Sequence, residues 1–156
     1  MTTASRDDYP LGPVFEFLRR LWELNHALER VSSGMEKRLG VTAQQRLIIR
    51  CVGKFPGVTA GQLARLLHLD PGTVSASLAR LEKKGVLERR KDPRDGRRAV
   101  LGLTPRGRAL DRPEPGTTEA AVEQLLGSTA SGDLASAVDV VERLTTLLRA
   151  QRAPSS

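Results

Sequence analysis

The stretch 70–98, DPGTVSASLARLEKKGVLERRKDPRDGRR, constrains the fold of this chain more than any other. It reads as a helix, a strand and a basic turn, with a second strand directly behind. Asp70 is a good N-cap, and Pro71 a good first helical residue because the N–H it lacks has no partner there. Val74, Leu78 and Leu81 recur at i, i+4 and i+7 and make one apolar stripe. Lys83, Lys84 and Gly85 follow as a helix C-terminus prefers. Residues 86–91 are short and strand-like, Pro93 and the Asp95-Gly96 pair mark a tight turn, and 99–103 form the second strand. A helix followed by a basic-tipped hairpin outlines a winged helix-turn-helix.

Charge is segregated in the same region. The chain of 156 residues has a net charge of +7. Residues 40–108 hold 15 Lys and Arg against 5 Asp and Glu, a balance of +10, and the flanks carry −3. A charged face on this outline is matched best by a phosphate backbone, so double-stranded DNA is the expected partner. Aromatic residues are only 3%, so aliphatic side chains must fill the core. No run approaches the ~18 apolar residues of a membrane helix, so no membrane partner is expected. The N-terminus lacks a basic start followed by an apolar stretch, and the single cysteine, Cys51, forms no internal disulfide. These features predict a cytoplasmic protein.

Helical patterns flank the central stretch. Residues 1–12 read as a flexible arm. From 13 to 39, Val14, Leu18, Leu21, Leu28, Met35 and Leu39 follow a spacing near 3.5, with Phe17 and Leu24 beside them. A stripe that long exceeds what a small domain buries internally, and it predicts helix-on-helix packing with a second chain. Ser32-Ser33-Gly34 weakens it. Thr42 with Gln45 makes a capping box for a helix carrying Leu47, Ile48, Cys51 and Val52 inward. Thr59 caps a short helix over 60–67, with Leu63, Ala64 and Leu67 buried. Thr104-Pro105 starts another, over 106–111. Arg112-Pro113-Glu114-Pro115-Gly116 excludes continuous helix. Helix resumes at 117–118 and lasts to 126, residues 127–132 read as a loop, and a last helix spans 133–151. On that helix Leu134, Val138, Val141, Leu144, Leu147 and Leu148 share one side. Residues 153–156 are a tail.

With this pattern in place, the segment Arg80-Leu81-Glu82-Lys83-Lys84-Gly85-Val86-Leu87-Glu88-Arg89 and the wing Asp92, Arg94, Asp95, Arg97 resemble the multiple antibiotic resistance regulator (MarR) family of bacterial transcription factors. The resemblance covers residues 14–108 well and the last helix in outline. It implies a mainly α fold with a small β-hairpin: a winged helix-turn-helix lobe (40–104) flanked by a dimerisation helix (13–39) and C-terminal helices (105–152) that complete a homodimer body. Val14, Phe17, Leu18, Leu21, Leu134, Val138, Val141, Leu144 and Leu148 would form the dimer interface. It also implies a near-palindromic operator, and many such regulators are repressors released by small aromatic or lipophilic ligands. Two departures stand out: the family's long fifth helix is interrupted here at 112–116, and a long polar residue common near position 76 is Ala76.

The apolar stripe of the recognition helix leaves Gly72, Thr73, Ala76, Arg80 and Lys83 facing DNA, flanked by Ser75 and Ser77, with Thr59 at the start of the preceding helix. This surface is short-chained; only Arg80 can make a bidentate guanine contact, so small side chains would let the helix sit deep in the major groove. The wing should then carry much of the affinity. Arg94, Arg97 and Arg98 surround its tip, and by resemblance Arg97 enters the minor groove. Arg90 is the remaining candidate contact. Asp92, Asp95 and Gly96 read as wing-structural, each aspartate pairing with a nearby arginine. Trp22 reads as core or dimer interface, and with His26 it could border a ligand crevice. His26 and His68 stand outside any Cys/His cluster, so neither a metal nor a cofactor is expected. A nucleophile elbow and a phosphate-binding glycine loop are missing from the sequence, which excludes the common enzyme classes. A winged helix that docks on another protein is the competing reading. Retention of +10 on the lobe and three wing arginines weighs against it.

Overall fold

The computed structural model describes residues 10–151. Among them the order is α1 (Gly12–Leu39), α2 (Ala43–Lys54), α3 (Ala60–Leu67), α4 (Pro71–Lys83), β1 (Leu87–Lys91), β2 (Ala99–Leu103), α5 (Pro105–Leu110), α6 (Thr118–Ser128) and α7 (Ser131–Ala150). The chain divides into one compact unit ending at Thr118 and another beginning at Glu119. The arm expected over 1–12 lies outside the described residues up to residue 9, and the tail over 153–156 lies outside them entirely.

Local chemistry sets the starts of α2 to α5. Thr42 and Thr59 form full capping boxes with Gln45 and Gln62. Asp70 accepts the Thr73 N–H at 3.1 Å, and Thr104 accepts that of Gly107 at 3.1 Å. β1 and β2 pair antiparallel with Leu87 opposite Leu103 and Lys91 opposite Ala99. The Leu101 N–H donates to the Val58 carbonyl at 2.8 Å and ties the hairpin to the segment before α3.

The core is aliphatic throughout. Ile48, Ile49 and Val52 of α2 meet Leu63 of α3, Val74, Leu78 and Leu81 of α4, and Val86, Leu87, Leu101 and Leu103 of the hairpin. Each such side chain stabilises the lobe by roughly 1.5–3 kcal/mol relative to exposure. The inner face of α2 differs from the one expected. Leu47 is 49% exposed and Cys51 half-buried, while Gln45, Arg46 and Ile49 turn inward. Positions 45, 48, 49 and 52 form the buried stripe, and a guanidinium is accommodated at 46 because backbone carbonyls receive it.

The flanking helices are different. α1 runs unbroken through Ser32-Ser33-Gly34, where the Ser32 hydroxyl accepts the Ala43 N–H at 3.0 Å, and Met35 is its one buried residue. Trp22, which could have been core, is 58% exposed. α6 and α7 bury no residue. The loop expected over 127–132 shortens to Thr129 and Ala130. The hydroxyls of Ser128 and Thr129 donate to the Leu125 carbonyl at 3.1 and 2.7 Å and close the helix end from within.

α5 approaches the hairpin closely at Gly107, where a Cβ would sit 2.2 Å from the Val86 carbonyl oxygen. Gly107→Ala should therefore lower unfolding free energy by about 2–4 kcal/mol in urea titrations. Gly34→Ala, in the interior of α1 with open space around it, should raise it by about 0.5–1 kcal/mol.

Candidate nucleic-acid interface

α4 presents two faces. Val74, Leu78 and Leu81 are buried, while Gly72, Thr73, Ser75, Ala76, Arg80 and Lys83 are exposed. Thr73, Ala76, Arg80 and Lys83 recur at i, i+3, i+7 and i+10 and make one outward stripe. Ser77 departs from expectation. It is 4% exposed, three residues from Val74 and four from Leu81, so most of it lies in the packed face. Thr59 is half-buried, and its hydroxyl accepts the Gln62 N–H at 3.2 Å as the α3 cap.

The wing tip is built on two aspartates. Asp92 Oδ1 accepts the Arg94 N–H at 2.9 Å, and Asp95 Oδ1 accepts the Arg97 N–H at 3.0 Å. Both are Asx turns, in which a carboxylate caps the backbone two residues on. The sequence reading paired these aspartates with arginine side chains; the partners are backbone N–H groups instead. The tip closes through Asp92 N–H to the Arg98 carbonyl and Arg98 N–H to the Asp95 carbonyl, each 2.9 Å. This arrangement leaves the guanidinium groups of Arg94, Arg97 and Arg98 exposed beside carboxylates that face the chain.

Side-chain partners sort the cations of the lobe. Arg46 and Arg50 point inward to carbonyls near the end of α5. Lys84 donates to the Gly40 carbonyl at 2.7 Å and to Gln45 at 3.1 Å. Arg89 pairs with Glu82, and Arg90 with Glu88, which makes Arg90 a weaker candidate contact than the tip arginines. Arg106 and Arg108 donate to the carbonyls of Lys84 and Leu103. Lys54 lies over the Phe55 ring. Among the described residues of the lobe (40–108), Arg65, Arg80, Lys83, Lys91, Arg94, Arg97 and Arg98 have no intramolecular side-chain partner. They lie on α3, α4 and the wing. Arg65 and the inward set were missed by sequence reasoning. A lysine or arginine looks the same in a sequence whether it meets solvent or a carbonyl.

The expected dimer residues lie on α1 and α7. Val14, Phe17, Val138, Val141 and Leu148 are exposed, and Leu18, Leu21, Leu134 and Leu144 half-buried. His26 borders a shallow hollow of about 720 Å³ on α1 with Glu23, Glu29, Arg30 and Lys37.

A MarR family model matches residues 39–98. A helix-turn-helix-type transcriptional repressor of Mycobacterium tuberculosis is 29% identical over 120 residues, covering 77% of this chain and 82% of its own length. The multiple antibiotic resistance protein MarR of Salmonella typhimurium is 33% identical over 104 residues, 65% of this chain and 66% of its own. Among solved structures, FabT of Streptococcus pneumoniae in complex with DNA superposes with a TM-score of 0.61 at 26% identity, over 89% of this chain and 97% of that one.

Burial pushes the Cys51 thiol above its ordinary value, with nearby Lys54 pulling the other way. The thiolate is the reactive form. A maleimide at neutral pH should therefore label Cys51 several-fold more slowly in the folded protein than in urea, as followed by mass spectrometry.

Proposed function

We propose that this chain, which belongs to the MarR family of winged-helix transcription regulators, acts as a homodimeric repressor on a near-palindromic operator. Like the family's other regulators it binds DNA and is not an enzyme. The observation that carries the finer reading is the wing tip. Three arginines stand unpartnered there while both aspartates are turned to the backbone. In this reading α4 lies in the major groove through Thr73, Ser75, Ala76, Arg80 and Lys83. The wing follows the phosphates with Arg94 and Arg98 and sets Arg97 at the minor groove.

A second copy of the chain is the occupant that suits the open helices. Among the described residues, a 28-residue α1 buries one residue, and α6 and α7 bury none, so much of their apolar surface stays uncovered. The names of the relatives support repression, and the DNA complex of FabT supports duplex DNA as the partner. For an effector, the structure offers a cleft of about 520 Å³ lined by Leu47, Cys51, Lys54, Phe55 and Leu66. Arg50 and Asp111 also line it and neutralise each other as an ion pair, so apolar walls with Lys54 as the remaining cation fit a small lipophilic or aromatic anion. Such a regulator works in the cytoplasm.

Selection of bound duplexes from a random pool tests this. An inverted repeat with half-sites about one helical turn apart is the expected product. Sequence-blind recovery would overturn operator recognition, and no recovery at any salt would favour the protein-docking module. With the selected duplex, neutralising ~8 phosphates per dimer gives a log-log salt slope near −7. Arg97→Ala should cost on the order of 1–3 kcal/mol per subunit in titrations at fixed salt. Equal binding by variant and wild type would remove Arg97 from the interface.

A further inference from the structure

The interruption between α5 and α6 is held by three arginines from elsewhere in the chain. A helix end leaves its last carbonyls without internal donors, and the prolines at 113 and 115 bring no N–H to the segment. Arg46 of α2, 1% exposed, donates to the Leu110 carbonyl at 2.6 Å and to that of Arg112. Arg50, one turn on, donates to the Asp111 carbonyl and to Asp111 Oδ1 at 2.9 Å. Arg38, in the last turn of α1, reaches 77 residues along the chain to the Pro115 carbonyl at 2.8 Å. The fit at Asp111 depends on Gly53, where a Cβ would stand 2.0 Å from the carboxylate. The bonds are charge-assisted and converge on one short segment.

The geometry points to a specificity role: Arg38, Arg46 and Arg50, by locking the end of α1, α2 and residues 110–116 into one block, set the half-site spacing that the protein accepts on DNA. This rests on the homodimer reading. The exposed apolar length of α1 belongs to the dimer body, and α2 belongs to the DNA-binding lobe. The angle between them decides how far apart two recognition helices stand. When two half-sites are bound through a stiff link, simultaneous engagement succeeds at one separation, whereas a loose link tolerates a range. An uninterrupted α5–α6 helix would stiffen this joint through its own ladder; here the guanidinium groups replace it. Arg38 and Arg50 are positioning residues and need not touch DNA.

The test is a competition among duplexes carrying the selected half-sites at the selected spacing and at one and two base pairs more. Arg38→Gln/Arg50→Gln is the variant, because Arg38 is exposed, Arg50 half-buried, and Arg46 stays in place. Thermal melting checks its fold. The wild type should prefer its own spacing by about tenfold or more, the size of one mismatched base pair. In the double variant that ratio should fall to about threefold or less, with binding to a single half-site duplex changed by less than about twofold. A spacing ratio that survives in the folded variant overturns the inference. A matching loss on the single half-site also overturns it, because the arginines would then serve the lobe alone. If the double variant does not fold, Arg38→Gln alone, at the exposed member of the set, is read on the same duplexes and should lower the spacing ratio in the same direction; an unchanged ratio in that folded variant overturns the inference. A wild type indifferent to spacing fails before any variant is made, and overturns the homodimer reading together with this one.

Discussion

The placement of the wing depends on one joint, at Gly85 and Val86. The Val86 N–H donates to the Leu81 carbonyl at 3.0 Å and so belongs to the end of α4. Its carbonyl accepts the Thr104 N–H at 3.1 Å and so belongs to the far end of β2. The Thr104 hydroxyl donates to the Gly85 carbonyl at 2.6 Å. Gly107 lets α5 close over the Val86 carbonyl. Two side chains, Val86 and Leu87, are buried beside it. The recognition helix and the hairpin are thus fixed to each other by two backbone bonds at the buried Val86 and by the exposed Thr104–Gly85 bond beside it. Everything the wing can do with its arginines follows from an orientation decided there.

Around that joint, the lobe separates two uses of positive charge. Cations with long reach and nearby carbonyls, such as Arg46, Arg50 and Lys84, close gaps in the backbone. Those on α4 and the wing tip stay unpaired because the acidic residues near them are engaged with N–H groups. A net charge counts both kinds alike, so +10 overstates what a phosphate backbone would meet. The unpaired cations, not the total, set the number of counterions that binding can release.

Most of the lobe was legible in the sequence because its signals are local. The capping box at Thr42, the Thr59 and Asp70 caps, the Val74-Leu78-Leu81 stripe and the Asp95-Gly96 turn each involve residues within seven positions. The interruption at 112–116 was legible for the same reason, since two prolines act where they stand. What was not legible was long-range. Arg46 belongs inside because of carbonyls more than sixty residues later, and no pattern within α2 announces that. The same blindness sent Leu47 inward and Ile49 unremarked, since adjacent aliphatic residues allow more than one helical face. Ser77 is more deeply placed than its flanking position suggested, because a small hydroxyl residue fits a packed face as readily as a surface. The aspartates of the wing were given the right task and the wrong partner; a turn residue two positions before an N–H bonds to it before it can reach a side chain.

The reach of the inward arginines also bears on how the chain is made. α2 emerges from synthesis long before residues 110–116, and until they follow, its inner face holds a guanidinium without the Leu110 and Arg112 carbonyls it meets in the finished lobe. The hairpin strands that cover Ile48 and Val52 arrive late as well. The helices are therefore made before the segments that complete their interior. A fragment cut after the hairpin would carry every residue offered to DNA, yet lack the atoms that complete its interior.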